Sequence, residues 1–314
     1  MENLIFSLNA TIPVFTMMIL GYLFHKLGWI SDELASGMNK FVFLVPLPVL
    51  VFEDLATVDF SEVWDVGFVL FCFFATLLSI GISCVIASFW KDKSIRGEFI
   101  QASYRSSAAL LGIAFIQNIY GNAGMGPLMI IGSVPLYNVM AVLVLEVFRP
   151  GNPGLDRVVL KRAMTGIAKN PIIISIVLGL LWSALGIPMP QIPAKVLSSI
   201  GGIATPMGLM AMGAGFHFEE AIHKLGPTVT AAFMKLVGFE LIFLPAAACL
   251  GFRQEELVAI LIMLGSATTV SAFVMAKNMG HEGTLTSGAV MLTTLFSAFT
   301  LTFWLFLLRS LGLV

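Results

Sequence analysis

Of the 314 residues, 58% are hydrophobic and 11% charged, and the mean hydropathy is +0.96; this excludes an ordinary soluble domain and points to a chain surrounded by lipid. The net charge of −1, from 17 Lys and Arg against 18 Asp and Glu, comes with no basic run of the kind that holds nucleic acid, so the expected partner is the bilayer and not a nucleic acid. Cys72, Cys84 and Cys249 fall inside apolar runs without CxxC or histidine spacing; they read as small core residues, and no disulfide, metal or other cofactor is expected.

Apolar runs of about 20 residues predict an all-α integral membrane protein of ten transmembrane helices. They lie near residues 10–28, 38–57, 65–89, 97–120, 126–148, 171–187, 194–216, 227–250, 255–278 and 284–310. Before the first, Glu2 is the sole charge and no cleavage pattern follows, so that run is expected to remain as a helix. Lys26, Lys40, Lys91, Lys93, Arg96, Arg149, Arg157, Lys161, Arg162, Lys169, Lys224 and Lys277 occupy alternate connections, and the others hold only Lys195, Arg253 and the terminal Arg309. Basic connections stay cytoplasmic, which predicts a multi-pass protein of the cell membrane with both termini on the outer side. The acidic group Glu53, Asp54, Asp59, Glu62 and Asp65 is then expected on the outer face.

The second run bends at Pro46 and Pro48, and the seventh at Pro206. The fourth run, GEFIQASYRSSAALLGIAFIQNIYG, is apolar but carries Arg105, Ser106 and Ser107 in its middle, followed by small residues. At 1.5 Å of rise per residue, Arg105 sits roughly 12 Å into the membrane. A charge there needs a partner or a cavity, and polar residues beside small ones are where a spanning helix can unwind. The expectation is a discontinuous helix lining a site; the competing reading is an arginine that snorkels to the cytoplasmic surface or is paired structurally.

Residues 149–170, polar, basic and bearing Pro and Gly, divide the chain into a first five-helix repeat (1–148) and a second (171–314), with a cytoplasmic linker between them. An odd number of spans per half forces opposite topologies, as in inverted-repeat transporters. Glu98, Ala109, Ala114 and Phe115 match Glu256, Ala267, Ala272 and Phe273 at a constant offset, and Gly121 and Gly124 match Gly280 and Gly283 after one insertion. Run seven has the glycines Gly208 to Gly215, suited to close helix contact. Run eight holds Lys235 and Glu240, which five residues on an α-helix place about 140° apart, against a direct pair. The ninth run repeats the polar middle of the fourth with Gly265, Ser266, Thr268, Thr269 and Ser271.

The stretches YRSSAALLGIAFIQNIYG, VPLYNVMAV, ATPMGLMAMGAGF and VMAKNMGHEGTLTSGAVMLTTLFSAFT make the chain resemble, over nearly its whole length, the auxin efflux carrier family. That family includes bacterial malonate or malate permeases and the plant PIN-type carriers. The resemblance implies two inverted five-helix repeats of bile acid/sodium symporter-like and NhaA-like architecture, in which interrupted helices four and nine cross near the membrane centre. A homodimer is implied in the same way. Arg105 and Ser106 match the family's Arg-Ser-Asn pattern, with Ser107 where Asn is usual; Ala114 and Thr268 stand where proline is common.

Where two helices break and cross, exposed amide and carbonyl ends meet, and such a centre can hold an organic anion. The expected function is a secondary carrier of small organic anions such as carboxylates, working by alternating access. Its candidate substrate-binding residues are Arg105, Ser106, Ser107, Asn118, Asn138, Ser266, Thr268 and Thr269, with Gln117 and Ser271 as further hydrogen-bonding groups. Lys235 could add to the field, and Glu240 could couple transport to a proton. The alternatives are a proton- or sodium-coupled symporter of a different solute, or an intramembrane enzyme; against the enzyme, the chain has no HExxH and no GxSxG.

Overall fold

The computed structural model describes residues 2–56, 65–108, 113–121, 124–150, 164–216 and 218–314. The helices in chain order are α1 (Glu2–Lys26), α2 (Asp32–Leu44), α3 (Pro46–Ala56), α4 (Val66–Ser88), α5 (Arg96–Tyr104), α6 (Ile113–Tyr120), α7 (Gly126–Val147), α8 (Pro171–Ala184), α9 (Gln191–Gly201), α10 (Ala204–Ala214), α11 (Phe218–His223), α12 (Leu225–Phe233), α13 (Phe239–Cys249), α14 (Gln254–Gly265), α15 (Val270–Asn278) and α16 (Thr284–Ser310). A π turn, Met234–Gly238, joins α12 to α13.

Among the described residues, six stretches are long and apolar enough to cross a bilayer: Asp32–Ala56, Val66–Ser88, Gly126–Val147, Gln191–Ala214, Leu225–Cys249 and Thr284–Ser310. Among the other expected spans, α1 runs 25 residues and α8 is an apolar helix of 14. The fourth and ninth runs are each divided into two short helices, α5 with α6 and α14 with α15. The centre of the predicted linker, residues 151–163, and Asp59 and Glu62 lie outside the described residues.

The element boundaries follow from local chemistry. Ser31, Asp65 and Asn170 cap α2, α4 and α8 by accepting the N–H of Leu34 (3.1 Å), Phe68 (3.0 Å) and Ile172 (2.9 Å). Pro171 at the first position of α8 needs no intrahelical donor. Val45 leaves the helical region (φ −126°, ψ −72°) just before Pro46, because a proline ring clashes with the carbonyl four residues back and brings no N–H. Pro206 acts likewise on the residues before it, and α9 and α10 part at Gly202 and Ile203. Since Pro46 restarts the helix, α3 continues to Ala56, and Glu53 and Asp54 sit within it and not in the outer connection expected for them.

The outer surface of the bundle carries large apolar side chains. Helix α4 buries Cys72, Ala75, Thr76, Ser79 and Ser83 while Val66, Leu70, Phe74, Leu78 and Val85 are exposed, as expected where lipid is as apolar as leucine and small residues make the close contacts. A side chain on Gly213 would meet the Met18 carbonyl, and one on Gly21 the Met210 carbonyl, so α1 and α10 touch backbone to backbone. Of the cysteines, Cys72 is buried, but Cys84 is half-buried and Cys249 exposed; the expectation of three core thiols holds for the first alone, and all are free.

Helices α5 and α14 form the centre, with Gly97 through Tyr104 and Leu257 through Gly265 buried without a break. Two polar side chains of α5 reach into the second half of the chain. Gln101 Nε2 donates to the Ala272 carbonyl at 3.0 Å. Glu98 accepts the Gly283 N–H at 2.9 Å on one oxygen, and the Thr286 N–H and hydroxyl at 3.0 Å each on the other, capping α16. At the start of α14, Glu255 lies so close to Gly124, just before α7, that a Cβ there would be 2.7 Å from its carboxylate.

Candidate functional site

The two divided runs meet where both lose helical geometry. Arg105 (φ −81°, ψ 119°) follows α5, and Ser266 (φ −69°, ψ 154°) and Thr269 (φ −71°, ψ 143°) bound the gap between α14 and α15. The extended residues pair as a single antiparallel bridge between Ser106 and Thr268, and the Ser107 N–H donates to the Ala267 carbonyl at 2.9 Å.

A helix broken inside a membrane must find partners for the carbonyls of its last turn. Here each run caps the other. Thr268 Oγ1 donates to the Ala102 carbonyl of α5 at 2.9 Å, and Ser106 Oγ donates to the Met263 carbonyl of α14. Tyr137 of α7 adds its hydroxyl to Met263 at 3.1 Å, and the Thr268 N–H is taken by Thr293 Oγ1 of α16 at 2.9 Å. The hydroxyls of Ser106 and Thr268, candidates for holding a substrate, are therefore engaged within the protein. These hydroxyls pair the Ala102 and Met263 carbonyls at breaks that hold no proline.

Lys235 lies fully buried behind this crossing. Its ammonium donates to the Tyr104 carbonyl (3.4 Å), the Leu264 carbonyl and Ser106 Oγ. It thus sits at the negative ends of both α5 and α14, where helix dipoles favour a cation. The expectation of no direct Lys235–Glu240 pair holds, although the π turn between them departs from the α-helical spacing behind the expected angle of about 140°. A π turn carries an extra residue and shifts the register of everything after it. Both side chains reach the end of α14: Lys235 contacts Leu264, and Glu240 Oε1 stands over Gly265, where a side chain would collide with it. They are not in contact, since the ion pairs among the described residues are His25 with Asp32, Arg149 with Glu146 and Lys224 with Glu282.

Arg105 is 3% exposed, so it does not snorkel to the surface. Its guanidinium donates to Asn138 Oδ1 of α7 at 2.5 Å and to Met275 Sδ of α15 at 2.7 Å. Asn138 is held in turn by its own donation to the Val134 carbonyl at 2.9 Å. Among the described residues no carboxylate lies within ion-pair distance of Arg105.

Two adjoining cavities open beside the crossing. The larger, about 320 Å³, has an apolar wall of Val42, Leu47, Leu50, Ala204 and Val274, and a polar edge of Ser107, Thr205, Thr269, Ser271 and Thr294. The smaller, about 60 Å³, is bounded by Arg105, Ser106, Asn138, Tyr137 and Asp54. Ser107, Thr269, Ser271, Leu47 and Leu50 border both. Thr269 and Ser271 hydrogen-bond to each other at 3.1 Å at the start of α15, which has no side-chain cap on its first amides. The Ala272 N–H turns back to the Thr269 carbonyl at 3.0 Å, and the positive dipole end of α15 borders the cavity, a setting that favours an anion.

The sequence-predicted residues Arg105, Ser106, Ser107, Asn138, Thr268 and Thr269 gather at these cavities. Ser266 does not line them; it is buried and its hydroxyl has no hydrogen-bond partner. Asn118, like Gln117, belongs to α6, and its side chain lies outside the described residues. Sequence reasoning missed Asp54, Tyr137, Thr205 and Thr294. For the first and third a signal existed, because the prolines that divide runs two and seven turn those segments toward the crossing.

A family model described as membrane transport protein matches the chain twice, over residues 6–156 and 155–305. An "Uncharacterized transporter" of Methanothermobacter thermautotrophicus is 22% identical over 306 residues, covering 95% of this chain and 97% of the relative. A "Putative malonate transporter" of Rhizobium meliloti is 24% identical over 328 residues, covering 96% of each.

Proposed function

The chain belongs to the auxin efflux carrier family of membrane transport proteins, and from that premise we propose that it is a secondary carrier of small organic anions, with malonate the first substrate to test. The observation that carries this reading is the juxtaposition at the crossing. A buried guanidinium without a carboxylate partner and the uncapped start of α15 face two adjoining cavities that share a border. Burying an unpaired cation is costly, and an anionic ligand offsets that cost. The apolar wall and hydroxyl edge suit a short carbon skeleton with a carboxylate at one end.

The carrier would consist of two inverted five-helix repeats, the broken helices of each crossing at the substrate site, with alternating access by movement of one part against another. The double match of one family model and the breaks at Pro46 and near Pro206 support this architecture. The relative named for malonate supports the choice of substrate.

The test is uptake of labelled malonate and other small carboxylates by proteoliposomes. Arg105→Ala should lower saturable uptake by roughly tenfold to a hundredfold, the equivalent of one charge-assisted hydrogen bond of about 1.5–3 kcal/mol, while the variant remains a folded monodisperse protein. Uptake unchanged by the substitution would remove Arg105 from the site. A wild-type protein that moves none of these anions would overturn the assignment.

A further inference from the structure

Anion binding leaves one buried group without a role. Glu240 is 0% exposed, and neither carboxyl oxygen accepts a hydrogen bond from any described residue. It stands over Gly265, with Leu301 beside that glycine. Lys235 is also 0% exposed, but its surroundings are the opposite, since three oxygens take its donors. Three acceptors match the three donors of an ammonium, whereas a neutral amine has two. A carboxylate in an apolar interior needs donors, and here it has none; the uncharged acid fits this site at lower cost.

The charged and titratable groups on the packed elements are otherwise committed or distant. On α5, Glu98 is bound to Gly283 and Thr286, Tyr104 donates its hydroxyl to the Tyr137 carbonyl, and Arg105 is bound to Asn138. Glu255 and Glu256 lie in the first turn of α14 and Arg309 in the last turn of α16, while α4 offers only the thiols Cys72 and Cys84. Lys224 precedes α12 and pairs with Glu282. Lys235 is the charged group that reaches the same end of α14 as Glu240.

We propose that Glu240 is a proton-binding site of the carrier and Lys235 its positioned partner, so that an organic anion and a proton cross together. This rests on the carrier reading. With the O–H bond of Glu240 intact, the crossing presents Arg105 and Lys235 as two positive charges beside a neutral acid, the state that favours an anion. When the site opens to the other side, the O–H bond breaks and its proton passes to water. The resulting carboxylate draws the Lys235 ammonium from the carbonyls of Tyr104 and Leu264, and the cavity loses positive potential as the anion leaves. A proton from water on the first side restores the acid.

The experiment uses the full chain in proteoliposomes with a pH-sensitive dye trapped inside and malonate added outside, corrected for protein-free vesicles. Wild type should acidify the lumen as malonate enters, and Glu240→Gln should lose that acidification. Malonate should still raise the variant's melting temperature, showing that it folds and binds. Infrared difference spectra should show a protonated-carboxyl band in wild type that is lost in E240Q. Malonate entry into wild-type vesicles without acidification, acidification retained by E240Q, or the absence of that band would each overturn the proposal. If wild type moves no carboxylate at all, the carrier reading fails, and the infrared band still decides whether Glu240 holds a proton.

Discussion

Single side chains at the crossing are assigned by where their hydrogen bonds go. Ser106 and Thr268 cap each other's broken helix, and Lys235 caps both; Arg105 is the cation with room beside it. Glu98 does comparable work at one edge, holding three donors at the start of α16. Glu98→Ala would leave the buried amides of Gly283 and Thr286 without their acceptor, a loss of about 3 kcal/mol. The expected result is a lower melting temperature in detergent, with Glu98→Gln falling between, since an amide oxygen can still accept. Equal melting temperatures for Glu98→Ala and wild type would show that the contact does not hold α16. That a glutamate sits in run four was plain from the sequence. Its partner, 185 residues away, was not, because a trans cap leaves no local pattern.

Helices here are defined as much by their interruptions as by their apolar length. The proline breaks in runs two and seven were legible, since a missing N–H and a ring clash are properties of one residue. The breaks after Tyr104 and Gly265 were legible as polar, small-residue stretches, but their stability depends on hydroxyls from the opposite run. The π turn at Met234–Gly238 was not legible: MKLVG carries no proline, and a single Gly238 in an apolar run does not announce it. The α-helical spacing used for Glu240 therefore did not apply. Close helix contact was expected from the glycines of run seven; the structure makes α1 the partner, and geometry makes the contact testable. Gly213→Leu must push the Met18 backbone away and should cost 3 kcal/mol or roughly more, beyond ordinary overpacking of about 1–3 kcal/mol. Gly226→Leu, with nothing within 4 Å of its Cβ position, should leave the melting temperature unchanged. Similar melting curves for the two variants would contradict the tight α1–α10 contact.

For the molecule as a whole, orientation in the membrane follows from charge and not from coordinates. Lys91 and Lys195 are both exposed, but they belong to connections of opposite basic content. In a Cys249→Ser background, Lys195→Cys should react with a membrane-impermeant maleimide in intact cells, and Lys91→Cys only after permeabilisation. The reverse labelling pattern would place both termini inside.

Hydropathy and proline position determined by themselves that this is a multi-pass membrane protein, where most of its helices run, and that two of them are interrupted. These are decided locally: lipid offers the backbone no hydrogen bonds, so each apolar run must become a helix wherever it can. Which polar groups meet at the interruptions was decided only by tertiary structure. The pairing of Ser106 with Thr268, the reach of Lys235 to two helix ends and the placement of Glu240 over Gly265 join residues from distant parts of the chain. No periodicity encodes such contacts, because they depend on how helices cross and on one extra residue in a single turn.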